Sequence, residues 1–286
     1  MSRARSGPTM DHLVLATRLR LMRETSGLTL HDAARALGSH TMTVRRIEAA
    51  ETAADADQVA TLLALYGASA EKTRRMLAGV AEANRTGWWH PHRRVMSPEQ
   101  QRWIGVESAA SVVRLWHGAL VPDLLQTQDY ARVLYRVRSP GDDAEREDQK
   151  LALLAERQTR LADRGARLWV LMSAAALHTM VGSPEIMRSQ HEHLRAAAEQ
   201  RHCTIQVVPL TAAPHPLTAA PPLRLLRIPV PEIGDYAVWD LPGDDRVDDD
   251  PAVVAPLRQA MDVAAGATPI HVPLPLPELP PAVQRA

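Results

Sequence analysis

The chain has 286 residues, enough for two domains with a sizeable buried core. Its 33 basic and 33 acidic residues give a net charge of zero, which argues against a protein that coats nucleic acid without regard to sequence. A lone cysteine, Cys203, excludes an internal disulfide and a zinc site built from several cysteines. The first thirty residues hold no long apolar segment, so we expect no secretory signal, no membrane span and a cytoplasmic protein.

The charge is unevenly distributed along the chain. Residues 1–80 carry eleven basic and eight acidic residues, a net charge of +3, and the remaining 206 residues carry −3. A mildly basic N-terminal module on a mildly acidic body fits a DNA-binding head better than a uniform enzyme surface. The asymmetry is small and only supports other signals.

The N-terminal pattern predicts a disordered arm over residues 1–10 and then a helix with Leu15, Leu19 and Met22 on one face. Two short helices joined by a tight turn follow. Thr29 is placed to cap the first of them, and Gly38 supplies the left-handed residue that often ends a helix. The apolar positions of this first helix fall at i, i+3, i+4 and i+7, namely Leu30, Ala33, Ala34 and Leu37.

The second short helix of the pair, from about His40 to Glu48, turns Val44 and Ile47 inward. A helix docked in this way can enter a DNA major groove, where Arg reaches guanine and an apolar group touches the thymine methyl. An ordinary helical hairpin with a solvated basic face is the alternative. The side chains predicted to point outward are Thr41, Met42, Arg45 and Arg46.

The same stretch resembles the Cro/phage-repressor (xenobiotic-response-element) class of helix-turn-helix regulators. The residues that carry the resemblance are Leu28-Thr29, Ala34, Leu37-Gly38, Val44 and Arg46-Ile47-Glu48. It implies a homodimer that reads a palindromic operator in double-stranded DNA, with bases contacted by Thr41, Met42 and Arg46 and phosphate by Thr43. Leu30 stands where the class often has a glutamine that clamps the DNA backbone. The full set of candidate DNA-binding residues is Thr29, His40, Thr41, Met42, Thr43, Arg45 and Arg46.

Further helices from Asp55 to Tyr66 and over about 70–84 complete a predicted DNA-binding bundle of four to five helices at 11–84. Four of the six tryptophans then lie within 88–116. They either pack a joint between head and body or form the aromatic wall of a ligand pocket. The candidate ligand-binding residues are Trp88, Trp89, Trp103, Trp116, Gln126 and Tyr130.

The rest of the chain predicts a mainly α protein with a small α+β C-terminal domain at 85–265 and a proline-rich tail at 266–286. The pattern is helical over about 97–136 and again over about 144–163. Ser183-Pro184-Glu185 is typical of a helix start. Short apolar runs predict strands at 168–172, 204–209, 223–228 and 236–239.

This body is similar to the uncharacterised C-terminal domain of WhiJ-like actinobacterial regulators. The motifs that match are Gly87-Trp88-Trp89, Glu107-Ser108-Ala109-Ala110, Pro122 to Thr127, Asp129-Tyr130-Ala131, Glu156-Arg157-Gln158, Gly182 to Met187 and Val207 to Leu210. The resemblance implies a transcriptional regulator whose body senses a small molecule or a partner protein. Asp123 departs from the usual Pro-Gly, and Ser173-Ala174 replace residues that are usually acidic.

Catalytic and metal-binding spacings are not evident. The sequence has no P-loop, no Gly-x-Ser-x-Gly elbow and no Gly-x-Gly-x-x-Gly turn, so we expect no enzyme and no cofactor. His191 and His193 would point to different faces of a helix, and we expect no metal site. Two alternatives to a DNA-binding regulator stay open. One is an antitoxin-like interaction module for a small neighbour-encoded protein, and the other is an enzyme built on the α/β body.

Overall fold

A computed structural model describes residues 8–53, 55–241, 245–270 and 273–279. The chain divides into two compact units, Met1–Ala109 with Ile228–Gly234 and Ala110–Arg227 with Asp235–Ala286. The predicted boundary was at 84/85, whereas the first unit continues to Ala109 and includes a further 3-10 helix and a further α-helix. Residues 1–7 of the predicted arm lie outside the described residues, and Met10 already begins the first helix.

The first unit contains a bundle of five helices, as the sequence predicted. They are α1 (Met10–Thr25), α2 (Leu30–Ala36), α3 (Thr41–Glu48), α4 (Ala56–Leu65) and α5 (Ala70–Ala83). A 3-10 helix at His90–Val95 and α6 (Pro98–Ala109) follow. Side-chain oxygens of Thr29, Asp55 and Ser69 accept backbone N–H groups at the starts of α2, α4 and α5, so these starts are encoded locally.

The core of this bundle takes its apolar residues from all five helices. It includes Leu19 of α1, Ala33 of α2, Ile47 of α3, Leu62 of α4 and Val80 of α5, all buried. Each comes from a stripe with helical spacing, so burying the five stripes together forms one core. The short helices α2 and α3 depend on this packing, because helices of seven and eight residues are marginal alone.

The second unit contains a six-stranded mixed sheet in the order β3-β2-β1-β4-β5-β6. The strands are β1 (Val112–His117), β2 (Arg167–Ser173), β3 (Cys203–Val208), β4 (Leu223–Arg227), β5 (Tyr236–Trp239) and β6 (Arg246–Asp248). β1, β2 and β3 are parallel, whereas β4, β5 and β6 continue antiparallel. The helices are α7 (Gln128–Arg138), α8 (Ala144–Asp163), α9 (Ala175–His178), α10 (Pro184–Ala198) and α11 (Pro251–Gly266). The predicted fold class is therefore confirmed.

Three features of the second unit differ from the sequence prediction. β1 lies inside the segment predicted as helical, because a short apolar run that is buried on both sides has no period that separates strand from helix. β6 and α11 were not predicted at all. α11 begins at the Asp250 cap and runs to Gly266, where the tail was expected to start. Within the described part of that tail, Leu274 is buried.

Candidate DNA interface

The turn between α2 and α3 has the geometry that its residues predict. Thr29 Oγ1 accepts a hydrogen bond from the Asp32 N–H at 3.2 Å, and Asp32 Oδ2 accepts one from the Thr29 N–H at 3.0 Å. This capping box lowers the pKa of Asp32, because Thr29 donates to its carboxylate. Gly38 has a φ of +57°, which favours glycine, and closes α2. The entry and exit of α2 are therefore set by three local residues.

α3 has one buried face and one exposed face. Val44 and Ile47 are buried in the bundle core, 0% and 1% exposed. Met42 is 48% exposed, unusual for a large apolar side chain, and Thr43 is half-buried. The structure thus places the four side chains predicted to point outward, Thr41, Met42, Arg45 and Arg46, on one solvent-exposed surface. This surface, which we call the α3 face, offers a hydroxyl, a thioether and two guanidinium groups.

Two other predicted residues flank the α3 face. His40 is the N-cap residue of α3 and is exposed, and its side chain does not cap the helix. Thr29 is exposed at the start of α2, where its hydroxyl is engaged in the capping box. Leu30, at the position of the missing glutamine, packs against the bundle core.

A buried ion pair holds the C-terminal end of α3 against α1. Sequence reasoning did not predict this pair. Glu48 accepts hydrogen bonds from Arg23 of α1, with Nε–Oε1 and Nη2–Oε2 distances of 2.9 Å. The Tyr66 hydroxyl donates to the same carboxylate at 3.2 Å. Burial raises the pKa of Tyr66, and the bond to Glu48 raises that of Arg23. α3 is thus held at its C-terminal end by charge as well as by apolar packing.

The candidate ligand-binding tryptophans have protein partners within each unit. In the first unit, Trp88 Nε1 donates to Ser108 Oγ at 2.9 Å, and Trp89 and Trp103 are buried. In the second unit, Trp116 Nε1 donates to the Ala220 carbonyl at 3.3 Å, and its ring lies edge-to-face with His215. These contacts are of the packing type. Ligand binding by the tryptophans stays a prediction.

Gln126 and Tyr130, the other two candidate ligand residues, form hydrogen bonds to the loop after β1. Gln126 Nε2 donates to the Val121 carbonyl at 2.7 Å, and the Tyr130 hydroxyl accepts the Val121 N–H at 3.2 Å. Gln190 of α10 joins the same loop by donating to the Leu125 carbonyl at 2.6 Å. Burial raises the pKa of Tyr130. Both candidates therefore have a structural role in the second unit.

A partly buried ionic cluster, in which the two arginines are buried and Asp123 is 25% exposed, lies after β1 and was missed by sequence reasoning. Asp123 Oδ2 lies 2.8 Å from Arg157 Nη1 and 3.0 Å from Arg224 Nη2. Although burial favours the neutral carboxyl, the two guanidiniums hold the pKa of Asp123 well below its usual range. Burial lowers the pKa of neighbouring His117 to about 4. The signal in the sequence was Asp123 itself, which departs from the family pattern.

Two observations on the described residues concern metal ligands and the single cysteine. No group of three or more His, Cys, Asp or Glu side chains in that part of the chain is arranged to hold a metal ion. Cys203 is buried, which raises the pKa of its thiol to about 12. Among the same residues, no helix has the length and apolar character to span a bilayer.

A two-helix motif with a buried inner face and an exposed basic outer face defines a DNA-binding regulator. Comparison with protein families supports this class, because residues 14–76 match a family described as a helix-turn-helix domain. Residues 100–268 match a domain of unknown function, DUF5753, and the chain belongs to that family. The predicted order of a helix-turn-helix head and an uncharacterised C-terminal domain is thus confirmed. Comparisons with curated proteins and with solved structures each gave no match.

Proposed function

We propose that the protein is a cytoplasmic, sequence-specific transcriptional regulator of the Cro/phage-repressor class, from an actinobacterium. It inserts α3 into the major groove of double-stranded DNA. The observation that carries this proposal is the α3 face, which is exposed while Val44 and Ile47 on the opposite side anchor the helix in the core. A helix anchored in this way presents its outer side chains in fixed positions, as base readout requires.

The side chains of the α3 face suggest a division of roles. Arg46 can donate two hydrogen bonds to guanine, and Met42 can contact a thymine methyl group. Each good bidentate contact contributes about 1–3 kcal/mol of discrimination between bases. Thr43, His40 and Thr29 lie at or near helix starts, where they support contacts to phosphate. Arg45 adds positive charge beside them.

We further propose that the protein acts as a homodimer on a palindromic operator. Two copies of α3 would then enter successive major grooves on one side of the duplex, about 34 Å apart. The support is the helix-turn-helix class itself, whose members bind symmetric half-sites in this way.

Fluorescence anisotropy with DNA from upstream of the protein's own gene tests this proposal. The parent protein should prefer this duplex over a scrambled one at both low and high salt. Arg46→Ala should lose about 1–3 kcal/mol of specific binding and little non-specific binding. Arg74→Ala, an exposed arginine of α5, is the matched control and should bind as the parent does. Equal binding of both duplexes that salt abolishes would indicate phosphate attraction alone and contradict the proposal.

The C-terminal domain, in this proposal, senses a small molecule or a partner protein. An antitoxin-like interaction module with secondary DNA binding is the second candidate. It is favoured by Leu30, which is packed against the head's core and leaves one backbone clamp of the class without a hydrogen-bond donor. Co-purification with the neighbouring gene product, together with no operator binding, would select this second candidate.

We also propose that the protein is not an enzyme. The support is the absence of a known catalytic spacing in the sequence and the raised pKa of the Cys203 thiol. The Asp123 carboxylate, whose pKa is lowered by its neighbours, is engaged by two arginines. A mass-spectrometric screen of metabolite pools incubated with the protein tests this proposal, and turnover of any metabolite would contradict it.

A further inference from the structure

A cavity of about 680 Å3 opens on the first unit, away from the residues of the α3 face, none of which lines it. Its walls come from α1, from Tyr66 at the end of α4, from α5 and from the segment Ile228–Gly234. This volume falls within the range of about 300–1,000 Å3 that is typical of small-molecule sites. No pattern in the sequence predicted a site here.

The floor of the cavity is apolar. Tyr66 and Met76 are buried beneath it, and Met22 is half-buried. Leu21 is 37% exposed at its edge, so a bound apolar group would remove leucine surface from water. This arrangement provides a binding surface for a hydrocarbon or aromatic body.

The rim of the cavity is cationic. Arg18, Lys72 and Arg75 line it, opposed by one carboxylate, that of Glu232. Arg18 lies 3.5 Å from Glu232 in a half-exposed pair, which is worth at most about 1 kcal/mol. In the described part of the chain, Lys72 makes no ion pair. Arg75 lies 3.2 Å from Glu71, which does not line the cavity, in an exposed pair of the same weak kind. The lining itself therefore carries a net charge of +2, and its one carboxylate is weakly held by Arg18.

We propose that this cavity binds a small organic anion with an apolar body. Its carboxylate or sulfonate group takes hydrogen bonds from the rim cations, and its apolar part covers Leu21, Met22 and Met76. Glu232 competes with the ligand for Arg18. Because no residue of the α3 face lines the cavity, the experiments on this site test an inference separate from the proposed function.

Titration of the full chain with 8-anilinonaphthalene-1-sulfonate, a fluorescent sulfonate with an aromatic body, tests this inference. We expect saturable binding at one site that weakens as salt rises. Lys72→Glu combined with Arg75→Glu should weaken binding at least tenfold, about 1.4 kcal/mol. Arg74→Glu changes charge equally on the same helix but does not line the cavity, and it should leave the affinity within about twofold of the parent.

Glu232→Gln provides a second, opposite test. It removes the internal competitor with little change in shape, so the affinity should rise about two- to fivefold. If charge reversal on α5 prevents folding, the affinity of Glu232→Gln still tests whether the cavity binds the anion. Non-saturable binding by the parent, equal weakening by Arg74→Glu, or unchanged affinity in Glu232→Gln would each overturn the inference.

Discussion

Glu48→Ala is the substitution that tests how α3 is held in the bundle. It removes the carboxylate that Arg23 and Tyr66 share, and it leaves both partners inside the head with fewer acceptors. The Glu48 and Arg23 side chains are 4% and 11% exposed. Breaking a buried pair by removing one partner costs about 3–5 kcal/mol. Because Arg23 keeps its hydrogen bond to the Leu28 carbonyl, we expect a loss near 3 kcal/mol.

A loss of this size is large for a small domain. It would lower the melting temperature of the first unit by about 12 °C, at about 4 °C per kcal/mol for a unit slightly longer than 100 residues. Urea unfolding followed by far-UV circular dichroism would measure it, and hydrogen exchange of the α3 amides would localise it. Glu51→Ala, an exposed glutamate three residues later, is the control and should cost less than about 0.5 kcal/mol.

A double-mutant cycle with Arg23→Met separates the pair from other effects of each substitution. If the pair acts as described, the double variant should be less destabilised than the sum of the single variants by at least about 1 kcal/mol. If Glu48→Ala lowered the free energy of unfolding by less than about 1 kcal/mol, or if the effects of the two single substitutions were additive, the pair would not be what holds α3 in the bundle.

Three further predictions concern backbone and charge. Gly38→Ala should destabilise the head by about 1–2 kcal/mol, because φ at Gly38 is +57°. Gly79→Ala, at an exposed position of α5 where a Cβ meets nothing within 4 Å, should stabilise it by about 1 kcal/mol, and urea unfolding that showed the same sign for both would contradict this. Burial lowers the pKa of His117 to about 4, so the folded second unit is destabilised as the pH falls below about 6.5, where the unfolded chain binds the proton first. Between pH 7.5 and pH 5 its free energy of unfolding should fall by about 2 kcal/mol, and His117→Gln should reduce that loss in urea titrations. The pKa of Asp123 is lowered, so the stabilisation from its ionised carboxylate is present above about pH 3.9 and is lost as the pH falls below that value. Asp123→Asn should destabilise the second unit by about 3 kcal/mol at neutral pH and flatten its acid-unfolding curve. An unchanged curve would be inconsistent with the cluster.

Local signals in the sequence were enough to predict the helix-turn-helix. The Thr29 cap, the Gly38 turn and the spacing of Val44 and Ile47 each act over a few residues, so a short window contains the cause of each feature. The exposed placement of the α3 face followed from the same spacing. The long helix α8 was predicted for the same reason, with its apolar stripe at Leu151, Leu154 and Leu161.

Tertiary structure alone decided which distant residues meet. Glu48 pairs with Arg23 25 positions away, and Asp123 pairs with Arg224 101 positions away, and no periodicity encodes such partners. β1 became a strand because β2 and β4 pair with it on both sides, although its own residues also suited a helix. The sequence therefore determined the faces of the head's helices by itself. The packing of the chain determined the buried ionic clusters and the centre of the sheet, since these depend on contacts between segments far apart in sequence.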